Sequence, residues 1–182
     1  MIHVLADVQT NSIGPNTSVW QFSIILSGAV IGDNCNINCH TFIENDVRIG
    51  NNVTVKSGVY LWDGIEIEDE VFIGPNVTFT NDTRPRSKQY PSKFMPIVIR
   101  RKASIGASST ILGGVEVGEF AMIGAGALVT KNVPSRALVV GVPAKVVGWL
   151  NEDGSKMNED NGFFVDSFKQ NWRVKEGQLL KI

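Results

Sequence analysis

The chain has 182 residues, with 17 Lys and Arg against 18 Asp and Glu, a net charge of −1 and 19% charged residues. That length predicts one domain with an appendage and a substantial core, and the near-neutral balance excludes a global field that would recruit nucleic acid or membrane. No stretch reaches the ~18–20 apolar residues needed to cross a bilayer, and Asp7, Gln9, Thr10 and Asn11 interrupt any signal-peptide pattern at the start.

From Ile13 onward one apolar residue returns every six positions: Ile13, Val19, Ile25, Ile31, Ile37, Ile43, Ile49, Val55, Leu61, Ile67, Ile73 and Phe79. The register resumes as Ile99, Ile105, Ile111, Val117, Ile123 and Val129. Four places after each stands a small or β-branched residue, as at Thr17, Ser23, Ala29, Val47 and Val53. Neither a helix of period 3.6 nor a plain strand of period 2 gives this. A hexapeptide-repeat parallel β-helix does. Three short strands and their corners close a triangular coil of eighteen residues, the large aliphatic pointing inward, and coils stack at ~4.8 Å. Gly14, Gly32 and Gly50, spaced by eighteen, support that coil length. The expected domain is an all-β solenoid over 1–134 with about six coils and a loop at 81–98, followed by a cap and tail over 135–182.

The two cysteines, Cys35 and Cys39, make no disulfide framework, which predicts a reducing cytosolic compartment. Cys39-His40 beside Cys35 lacks a second cluster to complete a tetrahedral metal set, so no metal is expected. Asn45, Asp63 and Asn81 are spaced by eighteen and align as a polar column, readable either as a binding strip or as an asparagine ladder that satisfies the coil edges. Trp20 and Trp62, one position earlier in their repeats, offer flat surfaces to a sugar or base.

The register breaks at "FTNDTRPRSKQYP", Phe79 to Pro91. A long loop inside a tight repeat points to function. Seven of the 17 basic residues fall within 84–102, with no acidic residue among them, a concentration suited to phosphate. Arg84, Arg86 and Tyr90 are candidate substrate contacts. After Val133, "VPSRALVVGVPAKVVGWL" reads as a short helix or extended cap. Residues 151–162 read as polar and mobile, and "FFVDSFKQNWRVKEGQLLKI" as strand, Glu176-Gly177 turn, strand.

The pattern [LIV]-[GAED]-x-x-[STAV]-x, as in "IGDNCN" and "IGNNVT", resembles the left-handed β-helix acyltransferase superfamily. Handedness rests on this resemblance, because ordinary parallel crossovers are right-handed. The metal-dependent hydratases of similar fold, the gamma-class carbonic anhydrases, need three histidines, and this chain has only His3 and His40. A structural or ice-binding solenoid would show a flat Thr or Ser face and no break. "IGASST", "IGAGALVTKNVP" and "VVGVPAKVVG" resemble the acyl-CoA-binding end of the superfamily. The resemblance implies acetyl-CoA as co-substrate, with Ala107, Gly124, Ala125 and Gly126 along the pantetheine arm and Lys131 and Lys145 at the phosphates.

Hexapeptide O-acetyltransferases are known for a loop histidine acting as general base, and "TNDTRP" has none. An amine of pKa ~8 is partly the free nucleophile near neutrality, so the loop favours N-acylation, with Asn81 and Asp82 suited to holding the amine. His40 remains a candidate base or ribose contact, with a plain surface histidine as the alternative. From Ile2 to about Leu150 the chain resembles nucleotide-sugar N-acetyltransferases acting on a 3-amino group. Phe79, Thr80, Asn81 with Pro85, Arg86, Ser87 match their "FTN…PRS" signature, and "VYLWDGIEIEDEVFIGPNVTFTND" is closer to the subfamily acting on dTDP-3-amino-3,6-dideoxyhexoses. The resemblance implies that Asn81 contacts the acceptor amine with Asp63 near it, and that the enzyme is a homotrimer with sites between subunits. Asn45, Trp62, Arg84, Arg86 and Tyr90 complete the expected acceptor site. The alternatives are a UDP-2-acetamido-3-amino-2,3-dideoxyglucuronate acceptor or a hydroxyl acceptor on the same fold.

Overall fold

The computed structural model describes all residues, Met1–Ile182, and contains strands and turns but no helix. Two-residue strands repeat along the chain and pair only with the equivalent strand one coil on. For example, Asn36–Ile37 pairs in parallel with Thr54–Val55, and Phe42–Ile43 with Tyr60–Leu61. Three parallel faces result. The first runs from Ser18–Val19 through Asn36–Ile37, Phe72–Ile73 and Met122–Ile123 to Ala137–Val140. The second runs from Asp7–Val8 through Phe42–Ile43, Tyr60–Leu61 and Thr78–Phe79 to Leu128–Val129, seven strands in all. The third carries Val30–Ile31, Arg48–Ile49, Ile65–Ile67, Ile97–Ile99 and Glu116–Val117, extended at its ends by bridges Ile13 to Ile31 and Val117 to Val133.

The solenoid therefore has seven coils rather than about six. The terminal coils escaped the period because they are shorter: Val8 pairs with Ile25 at a spacing of 17, and Ile123 with Val139 at 16, whereas Ile37 pairs with Val55 at 18. Both periodic positions are interior. Ile25, Ile37, Ile43 and Val55 are fully buried, and so are the corner residues Ser23, Ala29, Val47 and Val53. One continuous cluster of 35 buried hydrophobic residues fills the solenoid, which is what makes a stack of two-residue strands stable.

Corners explain several residue choices. Asn16, Asn34 and Asn52 stack on the third–first edge with φ of 61°, 55° and 57°, a left-handed conformation that asparagine tolerates best after glycine. Gly32 lies so close to the next coil that a Cβ would sit 2.6 Å from the Gly50 carbonyl oxygen.

The chain leaves the solenoid after Phe79 and rejoins at Ile97. Ile65 pairs with Ile97 at a spacing of 32, so the loop inserts 14 residues beyond the regular 18. The strand resumes two residues sooner than the expected loop end. Past Val133 no helix forms: Ala137–Val140 makes the last parallel rung of the first face, and Lys145–Trp149 folds back on it antiparallel. Residues 158–160, read as mobile, form a strand paired with Phe163–Val165 through a left-handed Asn161-Gly162 turn. Asn171–Lys175 and Gln178–Lys181, joined by Glu176-Gly177, complete a four-stranded antiparallel sheet. That sheet docks on the end of the solenoid. The Arg136 guanidinium lies 4.7 Å from the Phe120 ring and 5.0 Å from Trp172, and Phe164 packs 6.4 Å from Trp149.

Candidate active site

The loop leaves from the second–third edge, and Asn81 stands at its neck. Its main-chain carbonyl accepts from Met95 N–H at 2.8 Å, pinning the outgoing strand to the returning one. Gly113, one coil on, makes room for this closure: a Cβ there would come 2.9 Å from Met95 Cβ and 3.0 Å from the Thr80 carbonyl. The Asn81 side-chain amide donates to the Asp63 carbonyl at 3.2 Å. Its carboxamide oxygen has no protein partner and is not buried, so it is open to a ligand.

The column expected from the spacing exists and behaves partly as a ladder. Asn45 Oδ1 accepts from Gly28 N–H at 3.1 Å, and Asp63 Oδ1 accepts from Asp46 N–H at 2.7 Å, each reaching back one coil. Asn45 therefore spends its oxygen on the coil edge.

One rung of the second face departs from the rule. Elsewhere the N–H just past a strand donates to the strand-end carbonyl of the next coil: Leu26 to Ile43, Glu44 to Leu61, Thr80 to Ile111 and Leu112 to Val129, at 3.0–3.1 Å. At the rung beside Asn81 a side chain takes over: Trp62 Nε1–H, in place of its main-chain N–H, donates to the Phe79 carbonyl at 2.9 Å. The neighbouring Asp63 N–H, which lies outside the ladder, donates to Glu44 Oε2 at 2.7 Å, as Gly113 N–H donates to Thr80 Oγ1 at 3.2 Å further along the same edge. Trp62 is held further by Phe42 and Tyr60, with ring centroids 5.8 and 5.9 Å away. Trp20 belongs to a different face: it follows Ser18–Val19 on the first, where its indole N–H bonds Asn36 Oδ1 at 2.8 Å. It cannot pair with Trp62 around one ligand on the same chain.

Asp82 Oδ1 accepts from Arg84 N–H at 2.8 Å, a turn-forming bond that engages one carboxylate oxygen. Arg84, Arg86 and Tyr90 are exposed on the loop, Tyr90 to 83%. Lys93 and Phe94, on the returning leg, line a groove of about 520 Å³ with Asp46, Arg48, Asp63 and Glu66. The basic cluster is smaller than the sequence window suggested. Arg100 binds Glu68 at 2.7 Å and Glu116 at 2.9 Å, which pushes its guanidinium pKa upward, while Arg101 reaches Glu119 at 3.4 Å and Lys102 reaches Glu70 at 3.6 Å. Those partners come from neighbouring coils and were invisible in the window.

His40 sits on the first–second edge, two coils before Asn81 and at a different corner. It has φ 58° and stacks on Phe22 at 5.2 Å. It is one of a left-handed stack of Phe22, His40, Gly58, Asn76, Ser108 and Gly126. Within one chain it cannot serve Asn81 as a base.

Lys131 and Lys145, more than a dozen residues apart, line one groove of about 370 Å³ at the C-terminal end of the solenoid, with Thr130, Asn132, Pro143 and Val146. Two cations against apolar walls suit a nucleotide phosphate and its base. Lys131 falls on the same edge as Asp63, Asn81 and Gly113. Ala107, Ala125 and Gly126 stack on the first–second edge instead, and nothing approaches within 4 Å of a Cβ built on Gly126. Gly124 is taken up by packing, since a Cβ there would meet Val140 Cγ1 at 2.7 Å. The buried Cys35 thiol, its pKa raised by burial, donates to the Gly50 carbonyl at 3.1 Å, and Cys39 lies 3.2 Å from Ser57 Oγ.

Glu44 and Gly113 were missed from sequence. Glu44 precedes Asn45 as Trp62 precedes Asp63, so extending the column one residue back would have found it.

The pattern described as "Bacterial transferase hexapeptide (six repeats)" matches residues 12–45 and 46–81, and "Hexapeptide repeat of succinyl-transferase" matches 96–131. The chain is 56% identical over 166 residues to the dTDP-3-amino-3,6-dideoxy-alpha-D-galactopyranose 3-N-acetyltransferase of Aneurinibacillus thermoaerophilus, covering 91% of this chain and 84% of that enzyme. It is 36% identical to the serine acetyltransferase of Buchnera aphidicola over 75% of this chain, but spans only 47% of that protein. Among solved structures, a hexapeptide-repeat acetyltransferase of Vibrio cholerae superposes with TM-score 0.55 at 26% identity, covering 78% of this chain and 74% of that one. Its acetyl coenzyme A complex superposes with TM-score 0.54 at 29% identity, covering 64% and 70%. The all-β architecture matches the left-handed β-helix of such acetyltransferases.

Proposed function

Because the chain belongs to the bacterial hexapeptide-repeat transferases, we propose that it is an acetyl-CoA-dependent N-acetyltransferase acting on the 3-amino group of a dTDP-3-amino-3,6-dideoxyhexose. The single observation that carries the acceptor is the 56% identity to a dTDP-3-amino-3,6-dideoxygalactose 3-N-acetyltransferase across nearly the whole chain. The galacto sugar is accordingly the first acceptor to test.

The chemistry asks little of the protein beyond placement. An amino group of pKa ~8 is partly unprotonated near neutrality, so its nitrogen can attack the thioester carbonyl carbon directly. The C–S bond breaks, and the departing thiolate takes the proton that nitrogen releases. No protein group is acylated. Asn81 suits the acceptor side, its free carboxamide oxygen accepting from the amine N–H and so aiming the lone pair. Acetyl-CoA supplies the activated acetyl group. Lys131 and Lys145 fit its phosphates, and the small residues Ala107, Ala125 and Gly126 fit the thin pantetheine arm. These two parts lie on different edges of one chain. The second face between those edges exposes Ile24, Tyr60 and part of Phe42, an apolar surface suited to covering by another copy. We therefore read the enzyme as a homotrimer whose sites lie between subunits, working in the cytosol on precursors of surface polysaccharides.

Thiol release from acetyl-CoA tests this with dTDP-3-amino-3,6-dideoxygalactose, its gluco epimer and the UDP diamino-uronate in parallel. Turnover of a dTDP sugar, lost in a folded Asn81→Ala variant, is the expected result. Turnover of the uronate alone would overturn the acceptor, and near-native turnover by Asn81→Ala would remove Asn81 from the mechanism.

A further inference from the structure

At the rung beside the loop neck the Trp62 indole takes the place of a ladder bond, and at the adjacent corner Glu44 holds a main-chain N–H that lies outside the ladder. Glu44 Oε2 accepts the Asp63 N–H at 2.7 Å, across a sequence distance of 19. Asp63 then presents its carbonyl to the Asn81 side-chain amide at 3.2 Å, and its carboxylate holds Asp46 N–H at 2.7 Å. The Asp63 main chain is thus fixed on both sides of its Cα, from below by Glu44 and from above by Asn81.

We propose that Glu44 is a positioning residue for acyl transfer. By holding the Asp63 N–H it fixes one of the two peptide planes that meet at the Asp63 Cα, while Gly64 N–H on the Asp46 carbonyl at 3.3 Å holds the other; together they aim the Asp63 carbonyl, and that carbonyl fixes the Asn81 carboxamide with its nitrogen inward and its oxygen toward the acceptor. The inference rests on the reading of Asn81 as the group that holds the amine.

Three features support an orienting role over simple edge satisfaction. The equivalent N–H one coil earlier, on Asn45, has no carboxylate beneath it, since Leu26 stands at that place, and the one on Gly113 takes only the neutral Thr80 hydroxyl at 3.2 Å, whereas Asp63 draws a charged acceptor. Glu44 is half-buried, with apolar Leu26 and Trp62 one coil to either side of it, where partial desolvation strengthens a hydrogen bond to a charged acceptor. Its bond also falls beside the rung where Trp62 secures the departing strand, so two side chains brace the neck from adjacent positions.

The test is steady-state kinetics on Glu44→Ala, Glu44→Gln, Asn81→Ala and the Glu44→Ala/Asn81→Ala double variant, with acetyl-CoA and the dTDP-amino sugar. Misaiming of Asn81 by Glu44→Ala should lower kcat by about tenfold to a hundredfold and leave the KM for acetyl-CoA unchanged. Glu44→Gln, whose amide oxygen still accepts the Asp63 N–H, should recover most of that loss. On the Asn81→Ala background the Glu44→Ala change should cost little more, since the group it orients is gone. Parent-like kcat in Glu44→Ala, equal losses on both backgrounds, or Glu44→Gln as impaired as Glu44→Ala would each overturn the proposal. If alanine at 44 unfolds the coil, Glu44→Asp, one methylene shorter, replaces it.

A second readout needs no turnover. The Asn81 side-chain amide proton resonances, assigned by their loss in Asn81→Ala, should shift in Glu44→Ala and stay near their parent positions in Glu44→Gln. Unchanged resonances in Glu44→Ala would overturn the link even if activity fell. Parent-like activity in Asn81→Ala with shifted resonances would instead overturn the role of Asn81, and with it the catalytic part of the proposal. A wrong acceptor assignment would silence the kinetics and leave the resonances informative.

Discussion

Replacing both Lys131 and Lys145 by alanine tests the proposed CoA-phosphate groove separately from the rest of the site. Both side chains are exposed while lining one groove, so each contact with a phosphate is solvated and worth about 0.5–1 kcal/mol, not the ~1.5–3 kcal/mol of a desolvated charged hydrogen bond. Together they amount to about 1–2 kcal/mol, and at 1.4 kcal/mol per tenfold this predicts a rise of roughly 5- to 30-fold in the KM for acetyl-CoA. Neither lysine touches the neck of the loop, so kcat should hold. Rates are measured at low ionic strength and again near 0.5 M salt, where screening over a few ångströms should erase much of the difference. Acetyl-pantetheine, which carries the thioester but no phosphate, is the control, and parent and variant should use it equally. An unchanged KM for acetyl-CoA at low salt, or an equal penalty with acetyl-pantetheine, would refute the assignment of this groove to phosphate.

Two further outcomes follow from the geometry. Trp62→Phe keeps a ring against Phe42 and Tyr60 but deletes the N–H that serves the Phe79 carbonyl. It should lower unfolding stability by about 1 kcal/mol, read as a lower urea midpoint with unchanged slope, and a variant as stable as the parent would show the indole bond to be dispensable. In the C-terminal sheet, burial opposes the Asp166 charge, but bonds from Gln170 N–H, Trp172 Nε1–H and Phe168 N–H, with Arg136 nearby, outweigh it and hold this carboxyl below its usual range. A lowered folded pKa stabilises the sheet above the unfolded value of about 3.9, and that contribution is lost as pH falls through the folded value. The Trp172 indole resonance should therefore report loosening of the sheet in strong acid. Asp166→Asn should remove this dependence, and an identical acid transition in that variant would exclude Asp166 as its origin.

The architecture was legible because it is written in short-range periodicity. A residue at each sixth position faces inward whatever lies elsewhere, so Ile13 to Phe79 and Ile99 to Val129 predicted both the faces and their core. The column of Asn45, Asp63 and Asn81 was legible for the same reason, being one period of eighteen. The loop announced itself as the place where that period fails.

The sequence by itself thus determined the repeat, the interior, the position of the break and, through its motifs, the chemistry of transfer. Only the tertiary structure decided what each surface residue does, because coil stacking brings together groups whose separation depends on loop and coil lengths that no local pattern encodes. Arg100 meets Glu68 across 32 positions, of which 14 belong to the inserted loop, and so becomes an ion-paired strut rather than a phosphate ligand. Lys131 and Lys145 converge because Lys145–Trp149 folds back on the last rung. Glu44 reaches the Asp63 N–H because one coil of stacking lays it beneath Trp62, next to Asp63. Side chains three hexapeptides apart become neighbours, and that adjacency assembles the neck around Asn81.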